Sequence, residues 1–198
     1  MRAETRRAYA AREPDIIDIR SHGVWTAASG IAFLASIERL PVAAAVTLGA
    51  FATGSISSLV SRALALRRFS TWASTEGLFG LIVTSDSPKW SKHVHLEWLP
   101  RFSVHCSVLN WSEHTTWTSC PPVDTFLTFV KRPSDPVPRE YSPVVLVPTG
   151  PLSLLIYRFY AAFLDAHHGN HAALLACEER LFHHYEAWLL AQPDETHR

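Results

Sequence analysis

Histidine is the residue type that first invites a chemical reading of this chain, with eleven among 198 residues. His93, His95 and Glu97 alternate within HVHLEWL. Alternate residues of a β-strand share one face, so the spacing predicts two imidazoles and a carboxylate standing together. His105 on a neighbouring strand would add a third imidazole, the ligand number of an open zinc site. No closed ligand set with standard metal spacing accompanies them and HExxH is absent, so a solvated polar sheet face is the simpler reading. A second group, Asp165, His167, His168 and His171, falls where a helix should end, and imidazoles there interact favourably with the helix dipole. His183 and His184 beside Tyr185 read as the flank of a helix.

Nucleophilic chemistry is sparser still. Cys106 follows His105, and adjacent strand residues point to opposite faces, so the two cannot form a dyad. Cys106 reads as a buried thiol of the core, and Cys120 before Pro121-Pro122 as a turn residue. With Cys177 these are the three cysteines; without a CxxC pair they make neither a disulfide scaffold nor a cysteine-only zinc site. Glu113, His114 and Asp124 are acid/base residue types with nothing in the spacing to fix their geometry. GxSxG, a phosphate-cradling glycine loop and a dinucleotide fingerprint are all absent. No catalytic, cofactor-binding or metal-binding residue is therefore assigned, and no cofactor. A non-enzymatic role is favoured over the alternative of a metalloenzyme using His93, His95 and His105.

Composition narrows the partners. Lys+Arg and Asp+Glu are 18 each, so the formal net charge is zero, which excludes a nucleic-acid binder working by bulk charge. Hydrophobic residues make up 47% and charged ones 18%, below the roughly 25% usual for soluble domains, and general disorder is excluded. Trp90, Trp98, Trp111 and Trp117 lack basic residues on neighbouring strand positions, so core packing accounts for them better than base stacking.

The charges also divide the chain. Residues 1–20 are dense in them, residues 21–37 carry none, Glu38-Arg39 interrupts, and residues 40–61 are again uncharged. Two apolar stretches around a charged turn read as a helical hairpin over residues 21–68. A membrane-spanning helix needs about 20 mostly apolar residues, a length the second stretch meets. Ala28, Ala32 and Ser36 recur every fourth residue, as do Ala45, Gly49 and Thr53, the spacing that lets helices approach closely in lipid. Arginines before and after the hairpin place both termini in the cytoplasm by the positive-inside rule. Trp72 beside Arg67 and Arg68 suits an interfacial belt. A soluble hairpin buried in a core, in a cytoplasmic protein, is the alternative.

Residues 69–198 read as a β-rich domain closed by helices. Prolines break the middle of the chain. Between them lie the β-prone runs 77–85, 93–99, 102–111, 115–119, 125–130 and 143–148, expected as an antiparallel sheet or small barrel. Within the third run, Phe102, Val104, Cys106 and Val108 would share an apolar face. After Gly150-Pro151 a helical stripe through Leu154, Leu155, Phe159 and Phe163 should run to Gly169-Asn170, and a second helix over 171–191 should stop at Pro193. The fold class is thus α+β: an N-terminal helical hairpin read as transmembrane, an antiparallel β-rich middle domain and two C-terminal helices.

The order of hairpin, strand-rich domain and terminal helix resembles the YcxB-like bacterial membrane proteins. The matching residues are His95-Leu96-Glu97, Val108-Leu109-Asn110-Trp111-Ser112, Thr125-Phe126-Leu127-Thr128-Phe129-Val130 and Val144-Val145-Leu146-Val147-Pro148. Thr149-Gly150-Pro151-Leu152 departs from the basic and aromatic residues usual after that proline, and the proline-rich loop and last helix are additions. The resemblance implies a small pleckstrin-homology-like sheet on a membrane anchor, a cytoplasmic module without assigned activity. The combined expectation is a membrane-anchored binding, adaptor or sensor module. Its partners would be the lipid bilayer, a protein or small ligand on the sheet domain, and a second copy through the hairpin, with no nucleic acid. The alternative is a soluble accessory protein, viral in character, acting through a protein interface.

Overall fold

The computed structural model describes residues 13–19, 42–130 and 142–192, with residues 42–55 as helix backbone only. Five strands form one mixed sheet: β1 (Asp15–Asp18), β2 (Gly80–Thr84), β3 (Cys106–Asn110), β4 (Val144–Gly150) and β5 (Ser153–Arg158), in the order β1-β5-β4-β2-β3. Neighbours are antiparallel except β2 and β3, which run parallel. The class is α+β, and the purely antiparallel expectation is corrected by that one pair. A parallel pair requires a crossover, supplied here by a helical run over residues 91–105 (α2). The other helices are α1 (Val42–Thr75), α3 (Pro121–Phe129), α4 (Tyr160–His167) and α5 (Ala172–Ala191).

The helices cover both faces of the sheet. Leu81, Val83, Val144, Leu146, Leu154 and Ile156 pack with Leu66 and Phe69 of α1 and with Phe126 and Phe129 of α3. Ile82, Val145, Val147 and Tyr157 pack with Val94, Trp98 and Phe102 of α2, Phe163 of α4, and Leu174, Leu181 and Tyr185 of α5. Burial on both sides explains why β2 and the start of β4 read as unbroken apolar runs rather than alternating ones.

Several expected strands are helices. In 93–99 the local alternation is overridden by a longer period: Trp90, Val94, Trp98 and Phe102 are all buried, one every fourth residue. A 3.6-residue turn would let that row drift. The chain instead takes a wider π turn over Val94–Trp98, directly before Pro100, whose missing N–H an ordinary α-turn would not accommodate. The expected strand 102–111 shortens to Cys106–Asn110, flanked by 3₁₀ turns. Its apolar face does not form, since Phe102 is buried in α2 while Val104 is 77% exposed. Residues 115–119 form no strand.

Residues 125–130 belong to α3 and the residue that closes it. Pro121 and Pro122 occupy its first positions, where no N–H is needed, and Val123, Phe126 and Phe129 make its buried stripe. Pro151 begins no helix: Gly150, Pro151 and Leu152 lie at the turn into β5, and the helix starts at Tyr160. The end at Gly169 (φ 89°) and the final helix agree with expectation.

The first apolar stretch, with Ala28, Ala32 and Ser36, lies outside the described residues. The second enters α1, which runs on past its charged end to Thr75 and buries Leu66, Phe69 and Ala73 in the sheet domain. Among the described residues no helix is long and apolar enough to cross a membrane. The transmembrane expectation gains no support there.

Candidate functional site

The chain leaves β2 and β3 in opposite directions. After Thr84 it passes to α2 on one face of the sheet, and after Asn110 to α3 on the other. Where the connections of parallel neighbours part in this way, the region beyond their carboxyl ends is where ligands of open α/β sheets bind.

Asn110 organises that edge. It pairs with Thr84 in the register of the two strands. Its Nδ2 donates to Asp86 Oδ1 at 2.9 Å and to Glu113 Oε1 at 3.4 Å, and its Oδ1 accepts the Ser112 N–H at 3.0 Å. Ser112 Oγ in turn accepts the Asp86 N–H at 3.0 Å. The exit loops of β2 and β3 are thereby clasped, and two carboxylates stand side by side on one amide. Among the described residues Asp86 Oδ2 and Glu113 Oε2 have no hydrogen-bond partner.

An aromatic pair follows Asn110 in the chain. Trp111 and His114 stack with ring centroids 4.3 Å apart at 9°. Trp117 and Phe126 support Trp111 from its edge. Beneath the edge, Thr84 Oγ1 is buried without a partner, while Ser85 Oγ accepts from Trp90 Nε1 at 3.1 Å and from Ser142 Oγ at 3.3 Å. Acceptors beside an aromatic face suit a ligand that presents hydroxyl or ammonium donors.

The histidines expected to share a metal do not meet. His93 Nε2 donates to Glu178 Oε1 at 2.6 Å, His95 bonds the Ser91 carbonyl at 2.8 Å, and His105 bonds the Tyr185 hydroxyl at 2.7 Å. Glu97 is exposed. Among the described residues no group of three or more His, Cys, Asp or Glu can hold a metal ion. Asp165, His167 and His168 end α4, where the Asp165 carbonyl accepts the N–H groups of His168 and Asn170; His171 caps α5. Glu113 and His114 belong to the β3 edge, whereas Asp124 accepts the Ser119 hydroxyl at the start of α3.

Cys106 borders the core, and burial pushes its thiol up to about 12, which leaves no thiolate at neutral pH. Burial, then the neighbouring His183, lowers His184, whose Nδ1 accepts the Tyr157 hydroxyl at 3.0 Å. Burial raises both Tyr157 and Tyr185.

Sequence reading missed Asp86 and the clasp made by Asn110. The available signal was a polar triplet at the end of each β-prone run, Ser85-Asp86-Ser87 and Ser112-Glu113-His114, but the parallel pairing that joins them is not local. It also missed Glu178, a buried carboxylate that takes the Trp98 indole N–H at 2.6 Å in addition to His93.

Comparison with protein-family models, with curated proteins and with solved structures finds no match.

Proposed function

We propose that the chain is a membrane-held, non-catalytic binding module whose sheet domain receives a small ligand rich in hydroxyl or ammonium donors. One observation carries the reading: α1 is a single helix with two environments. Its C-terminal part buries Leu66, Phe69 and Ala73, while Ile56, Val60 and Leu64 stand 61%, 52% and 48% exposed at helical spacing. Ile56 and Val60 lie within the uncharged stretch 40–61 and Leu64 just past it, and an apolar row left exposed suits lipid. At the β2/β3 edge the paired acceptors and aromatic stack supply recognition without an activated nucleophile. This agrees with a sensor or adaptor rather than with turnover.

The test is fractionation of the untagged chain, with the pellet extracted by alkaline carbonate and then by detergent. Release by detergent alone is the expected result. Release into carbonate overturns anchoring and favours the soluble accessory protein. For the ligand, ribose, glucose and spermidine are each titrated in a thermal-shift assay. Any stabilisation should vanish in Asp86→Asn, and a flat response to all three refutes the donor-rich ligand class.

A further inference from the structure

We infer that the groove between α1 and α3 receives the headgroup of a zwitterionic phospholipid, with an acyl chain laid along α1. This rests on the membrane-held reading above. The groove encloses about 250 Å³, and Leu64, Arg68, Ser61, Asp124 and Thr128 are among its lining residues. Its opening continues the apolar row of α1. Ile56, Val60, Leu64 and Arg68 follow one another every fourth residue, so three exposed apolar side chains lead along one side of the helix to a guanidinium. At 1.5 Å rise per residue, Ile56 and Leu64 are about 12 Å apart along the axis, a path of acyl-chain length.

The charges select the headgroup. Arg68 and Asp124 line the same groove, and among the described residues no ion pair joins them. Two opposite charges held apart match the phosphate and ammonium of a zwitterion. A guanidinium takes a phosphate through two parallel hydrogen bonds, and the hydroxyls of Ser61 and Thr128 add donors. Asp124 is oriented by the Ser119 hydroxyl at 3.0 and 3.1 Å from its two oxygens. An anionic headgroup would meet that carboxylate unscreened, and a purely cationic ligand would meet Arg68. A polar molecule without a chain would leave the apolar row uncovered.

The experiment measures equilibrium binding of dihexanoyl phosphatidylcholine, below its micelle concentration, to the full chain in non-ionic detergent. Dihexanoyl phosphatidylglycerol and free phosphocholine are the comparison probes. Phosphatidylcholine should bind at least tenfold tighter than either. Arg68→Gln should weaken it at least tenfold, Arg67→Gln should leave it unchanged, and Asp124→Asn should erase the preference over phosphatidylglycerol. Equal binding of the two lipids by the unaltered chain overturns the proposal, as does phosphocholine binding as tightly as the lipid or Arg68→Gln binding normally. Carbonate release of a chain that shows these preferences would sink the anchoring reading alone. Firm membrane retention without them would sink the groove alone.

Discussion

Glu178 offers the sharpest test of how the sheet domain is held together. Its carboxylate lies on α5, is buried, and accepts from His93 Nε2 and Trp98 Nε1 of α2, each at 2.6 Å. Hydrogen bonds to a charged acceptor contribute about 1.5–3 kcal/mol each, and a buried donor left unpaired costs about 1–3 kcal/mol. Glu178→Leu removes both bonds and strands the indole N–H of a Trp98 with no exposed surface. The desolvation of the carboxylate is relieved at the same time, which offsets part of the loss. The net expectation is about 3 kcal/mol, or a fall in Tm of about 6–12 °C for a chain of this size. Glu178→Gln keeps an acceptor of the same shape and should cost about 1 kcal/mol. Urea unfolding followed by far-UV circular dichroism, in a double-mutant cycle with Trp98→Phe, separates the contributions. In the Trp98→Phe background no indole donor remains to be stranded, so the Glu178→Leu penalty should shrink by about 1–2 kcal/mol. Equal penalties in both backgrounds, or a Glu178→Leu variant within 0.5 kcal/mol of the parent (about the additivity limit), would refute the reasoning.

Gly80→Ala should destabilise by about 2 kcal/mol or more and lower expression. Its Cβ would fall within 3.0 Å of the Leu146 carbonyl oxygen across the β2/β4 pair, and backbone cannot yield as a side chain can. Thiol labelling at pH 8 should find Cys106 inert in the folded chain, its thiol being at about 12, while half-exposed Cys120 reacts; rapid labelling of Cys106 without unfolding would contradict the burial. His184 should make the fold acid-sensitive. The folded state resists a proton that the unfolded chain takes up near its ordinary 6.5, so stability present above that pH declines as pH falls through the lowered value. The urea midpoint between pH 7.5 and 5 should fall less steeply in His184→Gln, and an unchanged slope would remove His184 from the account.

What the sequence disclosed depended on whether a segment's environment was local. The β2 and β4 runs and the helix over 171–191 carry their own signals, and each was legible. Residues 93–99 and 125–130 were not. The alternation of His93, His95 and Glu97 outweighed the period-four row Trp90, Val94, Trp98 and Phe102, and aromatic and β-branched residues concealed a helix that Pro121-Pro122 announces at its start. Residues 153–158 were read as helix because Leu154, Leu155 and Phe159 fall at helical spacing, and a strand covered on both faces shows no alternation to oppose it. The turn at Gly150, the strand of β4 before it and the tyrosine where α4 begins settle the matter only together. The candidate site was the least legible part. Its residues lie in two exit loops 24 positions apart, joined by the Asn110 to Asp86 bond, and only the parallel register of β2 and β3 brings those loops to one place.

The place of β1 has a consequence for how the chain can be cut. Asp15–Asp18 pairs with β5, and Asp15 Oδ2 accepts from Arg158 Nε at 2.9 Å, so the outermost strand precedes the first apolar stretch while the rest of the domain follows it. In sequence the sheet module is therefore split, with residues 20–41 falling between its first strand and the rest of it. A shortened gene starting at residue 42 would not release an intact module. It would strip the guard strand from β5 and leave an open, adhesive edge. Any internal shortening between β1 and α1 must still carry the chain from Ile19 to Val42, so that the edge of β5 stays covered.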